Sequence, residues 1–102
     1  MSHVLIVHDS ETIRSDLNRA LAAEGLTVAE AESSAAAVRE VWAGNFAAAL
    51  IGTQLPGVGG VSLEEHLKNL APEIVTLQIG REPAAKLVRK LMELLEGSSV
   101  AA

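Results

Sequence analysis

The chain has 102 residues, 49% hydrophobic and 21% charged, which fits one globular domain able to bury its own core. The absence of cysteine excludes disulfides and thiolate metal sites and fits a reducing cytoplasm; a net charge of −5 argues against a dedicated nucleic-acid surface. No stretch approaches a membrane span, and the first apolar run is too short, and lacks the basic flank, for a signal peptide. The only aromatics besides histidine are Trp42 and Phe46, so the core must be built from Leu, Val, Ile and Ala.

Val4 to Val7 is a continuous apolar run, the pattern of a strand buried on both faces. His8-Asp9-Ser10 ends it, and Asp9 or Ser10 can cap a helix in which Ile13, Leu17, Ala20 and Leu21 recur at helical spacing through Ala23. Gly25 stands where a C-terminal cap belongs. Leu26 to Ala31 alternates as a half-buried strand. Ser33-Ser34 opens a second helix with the apolar stripe Val38, Val41 and Trp42, and Gly44-Asn45 closes it. Phe46 to Ile51 is a third, buried strand that stops at Gly52 and runs into the glycine-rich stretch Thr53-Gln54-Leu55-Pro56-Gly57-Val58-Gly59-Gly60. Ser62 and Glu65 have the spacing of a capping box for a third helix with buried Leu63, Leu67 and Leu70, ended by Pro72. Ile74 to Ile79 is a fourth strand ended by Gly80. Pro83 suits the first turn of a last helix, with an apolar face of Leu87, Val88, Leu91, Leu94 and Leu95. Residues 1–96 form the domain and residues 97–102 a flexible tail. The alternation of strand and helix, four times over, predicts an α/β protein with a parallel sheet and helices on both faces.

The strand–acidic turn–helix–glycine–strand pattern of residues 5–38, followed by a buried strand that runs into Leu55-Pro56-Gly57, resembles the response-regulator receiver domain. The resemblance implies a flavodoxin-like, CheY-like sheet in the order 2-1-3-4, with chemistry at the carboxyl ends of the strands. In receivers the phospho-accepting aspartate lies four residues before the proline, and here that position is Gly52. The pair of metal-holding acids aligns with His8 and Asp9, so Asp9 alone remains. The hydroxyl position after the fourth strand falls at Ile79, with Thr53 and Thr76 out of register, and the lysine of the family's Lys-Pro pair is Glu82. One remaining aspartate is a poor Mg²⁺ site, and no nucleophile is left; the expectation is a domain with no cofactor and no metal that takes no phosphate. The chain also lacks counterparts of the family's fourth helix and fifth strand, which should leave the fourth strand as an open edge.

These departures point to a non-phosphorylatable pseudo-receiver, not an enzyme, that works by protein–protein contact or oligomerisation in bacterial signal transduction, in the cytoplasm. The expected partner is a protein or a second copy, as a homodimer, through the fourth-strand edge (Ile74, Thr76, Gln78) or the last helix (Leu87, Leu91), with the loop from Thr53 to Val61 as a further contact; no nucleic acid and no membrane are expected. Whether the last helix itself covers the bare face of the sheet is left open. A second reading is a regulatory input domain of a longer protein. A third, from another class, is a small enzyme or ligand binder with a strand-end crevice lined by Asp9, Thr53 and Gln54. His8 beside Asp9 is either a polar pair that caps the first helix or part of an acid/base or metal site, and Gly57 to Gly60 is either a turn or a phosphate cradle. Trp42 is either core or an interface anchor. His3 and His66 are read as solvated, as is the basic face Lys86, Arg89 and Lys90.

Overall fold

The computed structural model describes residues 3–52 and 60–100. Its elements are β1 (His3–Val7), α1 (Glu11–Ala23), β2 (Thr27–Ala31), α2 (Ser34–Ala43), β3 (Ala48–Gly52), α3 (Gly60–Leu70), β4 (Val75–Ile79) and α4 (Ala84–Val100). The strands are parallel and lie in the order β2-β1-β3-β4, the flavodoxin-like arrangement expected from the sequence. No helix among the described residues is long and apolar enough to cross a membrane.

Local chemistry sets the helix ends. Ser10 caps α1, its hydroxyl accepting from the Ile13 N–H at 3.4 Å, and Ser33 caps α2 in the same way through Ala36 at 3.2 Å. Gly25, at φ +83°, follows α1; its N–H bonds to the Ala22 carbonyl and the Leu26 N–H to that of Leu21, so the last free carbonyls are satisfied by a left-handed turn that only glycine adopts cheaply. Several boundaries differ from the sequence expectation, most of them by one or two residues. β3 starts at Ala48 and includes Gly52, which pairs with Ile79, while Ala47 just before it donates to the His3 carbonyl and accepts from the Val75 N–H. α3 begins at Gly60, ahead of the proposed Ser62 cap. α4 continues through Gly97 to Val100, into the stretch expected as tail.

The sheet divides the core in two. On one face Val4, Ile6, Ala48, Leu50 and Ile79 pack under α1 and α4; on the other Leu5, Val7, Ala49 and Ile51 pack under α2 and α3. β1 from Val4 onward and all of β3 are shut off from solvent on both faces, which is why these runs are continuously apolar. α4 lies beside α1 and over β4. Leu87 and Leu91 are therefore 2% and 0% exposed, and Ile74 is 4% exposed. These three positions, expected on an interaction surface, belong to the core: the leucine stripe of α4 fills the face of the sheet that α1 alone cannot cover. Trp42, placed on the apolar stripe of α2 and read as either core or an interface anchor, is 78% exposed and so is not core, and Ala37 and Val41 lie on the buried side of that helix.

Leu50→Ala should lower the unfolding free energy by about 2–5 kcal/mol, since the strand around it cannot collapse into the cavity, whereas Leu94→Ala, on the exposed part of α4, should change the monomer's stability by less than about 0.5 kcal/mol. Chemical denaturation of dilute protein checks both.

Candidate functional site

The carboxyl ends of β1, β3 and β4 meet at one point. Gly52 is the register partner of Ile79, Val7 that of Ile51, and His8 follows Val7 directly, so three of the positions picked out from sequence, His8, Gly52 and Ile79, lie side by side. Ile79 is 6% exposed and offers a hydrocarbon surface.

The His8 ring lies against the backbone of Gly52. A Cβ on residue 52 would fall 2.9 Å from His8 Cδ2, 3.4 Å from His8 Cγ and 3.3 Å from the Val7 carbonyl oxygen, the first of these closer than real side chains approach. The imidazole thus crowds the place where a Cβ at position 52 would stand. His8 is held there from several sides. Its Nδ1 accepts the Ser10 N–H at 2.9 Å, which assigns the neutral tautomer with its proton on Nε2. Asp9 Oδ1 also lies 3.1 Å from Nδ1, and that contact becomes a hydrogen bond only with a proton on Nδ1, at the expense of the Ser10 bond. The His8 carbonyl accepts from Arg14 Nη1 at 2.6 Å, and its N–H donates to the Ala31 carbonyl. Arg14 in turn reaches Glu30 on β2 through Nε at 3.2 Å, and Asn18 donates to the other Glu30 oxygen at 2.7 Å. Nothing in the sequence marked Arg14; its role follows from the distance between α1 and β2 in the fold.

Among the described residues, the remaining positions do not assemble a cation-binding cluster. Asp9 is more than half exposed. No group of three or more His, Cys, Asp or Glu side chains converges among the described residues. Among the described residues, the donor set for a divalent cation here is one carboxylate beside an imidazole whose near nitrogen is already engaged, and this does not fit the oxygen-rich shell that Mg²⁺ requires. Glu82 is turned away to Lys90, with its Oε2 2.6 Å from the ammonium in a contact short enough for an ion pair but not aligned as a good hydrogen bond. That contact holds the Glu82 carboxyl below its ordinary range; burial pushes the other way, and the charges of Lys90 and Lys86 add to the lowering. A cleft of about 330 Å³ opens between α1 and the start of α4, with an apolar floor of Leu17, Ile79 and Leu87 under the charged rim of Asp16, Arg81 and Glu82. Thr53, Gln54 and the stretch Gly57–Gly59, read as a crevice wall or a phosphate cradle, lie outside the described residues, as does the loop from Thr53 to Gly59 as a contact surface.

Two outcomes are expected. Gly52→Ala should destabilise the fold by about 1–3 kcal/mol through overpacking against His8, and the cost should fall when His8→Ala removes the ring; a double-mutant cycle by urea unfolding measures that coupling. Because the Glu82 carboxyl is lowered in the folded protein, its stabilisation is complete above the unfolded value near 4.5 and is lost as pH falls through the lower folded value. Glu82→Gln should therefore be less stable than the parent near neutrality, with the gap closing on acidification below about 4.5, as followed by thermal melts across pH.

Comparison with known proteins agrees with this fold. A search of curated proteins by sequence found no match. Among solved structures, the chain is similar to a response regulator receiver domain protein (CheY-like) from Methanospirillum hungatei JF-1, at 19% identity and a TM-score of 0.90 over 100% of this chain and 99% of the other. It is similar to the response regulator TrrA from Thermotoga maritima, solved in complex with Mg(2+)-BeF, at 17% identity and a TM-score of 0.83 over 93% of this chain and 99% of the other. A third likeness is to a response regulator protein from Burkholderia pseudomallei with a phosphorylated aspartic acid, at 25% identity and a TM-score of 0.70 over 88% of this chain and 55% of the other. The family model described as "Response regulator receiver domain" matches residues 4–95. The chain belongs to the response regulator receiver domain family.

Proposed function

We propose that this receiver domain takes no phosphoryl group and acts in two-component signalling as a phosphate-independent protein-interaction module without enzymatic activity. The observation that carries this reading is the His8 ring packed on Gly52: the acceptor position has no nucleophile, and the space a nucleophile would need is filled. The exposed Asp9, the apolar Ile79 and the Lys90-bound Glu82 support it, because none is placed to hold a phosphoryl group or its cation. A domain that cannot be switched by phosphate must be biased by whatever binds it, since only a ligand with different affinities for two states shifts their populations. The surfaces offered for association are the β4 edge, where Gln78 is exposed and Thr76 half-buried, and the outer side of α4, where Leu94 is exposed. Self-association through one of them is part of the proposal.

Incubation with acetyl phosphate and Mg²⁺, followed by intact-mass spectrometry, should leave the mass unchanged. Gly52→Asp alone should also gain no phosphoryl group, because His8 occupies the site into which the new carboxylate would point, while Gly52→Asp with His8→Asp should recover some transfer. Addition of a phosphoryl group to the parent chain would overturn the reading.

A further inference from the structure

We infer that two copies of this chain join antiparallel along β4, in the one register that centres the twofold axis on Leu77. The inference builds on the association proposed above and gives it a geometry.

β4 is an outer strand, bonded to β3 on one side and to no strand on the other among the described residues. The Val75 N–H donates to the Ala47 carbonyl, so Val75, Leu77 and Ile79 direct their backbone groups into the sheet. Thr76 and Gln78, alternating with them, direct theirs outward, and these outer groups form no hydrogen bond among the described residues. The strand carries none of the usual protection of an edge: Val75 to Ile79 contains no charge and no proline.

The register follows from which residues can face each other. In an antiparallel pair, residues that exchange two backbone bonds must both point toward the partner strand. An axis on Leu77 sets Thr76 opposite Gln78 of the second copy and Gln78 opposite its Thr76, so every outward group of the strand is paired. The same axis sets Glu73, four residues before Leu77, opposite Arg81, four residues after it, on the second copy, and the reverse pair forms by symmetry. Glu73 and Arg81 are both exposed. An axis on Thr76 would set Glu73 against Ile79, and one on Gln78 would set it against Pro83; neither matches the charges.

The helix above the strand is consistent with this arrangement. α1 borders the flank of α4 that carries Ala85, Val88, Arg89 and Met92. Leu94 is 45% exposed and lies on the other flank, one turn past Lys90 and on the side of the open edge. A twofold axis perpendicular to the sheet keeps each face on its own side, so α4 of one copy meets α4 of the other. Leu94 and the half-buried Val75 and Leu77 then share an apolar strip above the new strand pair.

The test is sedimentation equilibrium of the full chain over a wide concentration range, with three variants. The parent should dimerise. Arg81→Glu should raise the dissociation constant about tenfold, because two attractive pairs become repulsive, and Glu73→Arg with Arg81→Glu should restore it. Leu77→Cys, the sole cysteine of its chain, should oxidise to a covalent dimer, and Glu65→Cys on the exposed side of α3 should not. A parent that stays monomeric at every concentration overturns the inference, as does a dimer indifferent to the charge swap and not trapped by Leu77→Cys. Those results leave phosphate independence standing, since it is read by mass after phosphoryl transfer; a phosphorylated but correctly paired dimer would overturn that reading and keep this one.

Discussion

The contact between the His8 ring and the Gly52 backbone organises the end of the molecule where receivers do their chemistry. It exists because β1 and β3 run side by side through the centre of the sheet, from Val4 to Val7 and Ala48 to Gly52, with both faces buried. Two neighbouring parallel strands that end together bring the residue after β1 against the last residue of β3. If position 52 carried a side chain, the imidazole would have to shift. The two residues are therefore one packing unit. The Ser10 N–H, the Arg14 guanidinium and the Ala31 carbonyl fix it to α1 and β2. A change at either position is therefore felt at the other.

The second constraint is what lies beyond β4. With no further strand and helix there, one edge of the sheet and one flank of the last helix are left without neighbours among the described residues. α4 responds by packing beside α1, which draws Leu87 and Leu91 into the core and leaves Leu94 outside. On the face of the sheet shared with α2 and α3, α3 lies over β3, and the side chains that β4 presents there are Thr76 and Gln78. These tolerate water, so the domain can stand with that face open. Its backbone edge has no such compensation, and an unpaired row of donors and acceptors is satisfied either by solvent or by another strand.

Much of this was legible in the sequence. Continuous apolar runs marked β1 and β3 as central, and Gly25 and the two serine caps marked the ends of α1 and α2. The distance from Gly52 to Pro56 singled out Gly52, which the fold sets beside His8 and Ile79 at the strand ends. What escaped the sequence were directions. Helical spacing shows that α4 has an apolar stripe but not which neighbour receives it, so Leu87 and Leu91 read as surface when they are core. Trp42 follows Val41 in a helix whose other neighbours are small, and a one-residue rotation, 100° around the axis, separates a buried position from an exposed one. The seating of His8 depends on a contact between residues 44 apart in sequence, and no local pattern encodes it. Arg14 is a further case: an ordinary helix-surface arginine by sequence, it reaches both the β1 end and Glu30 only because the fold brings α1 across β2.

The most direct measurement on the central claim is a backbone amide spectrum of the ¹⁵N-labelled chain, recorded before and after addition of Mg²⁺ and beryllofluoride. An acceptor position closed by His8 predicts that the Gly52, His8 and Gly80 resonances stay where they are at every concentration of the mimic. Saturable shifts confined to those residues would show that a phosphoryl-sized group enters the strand ends, and would contradict the account.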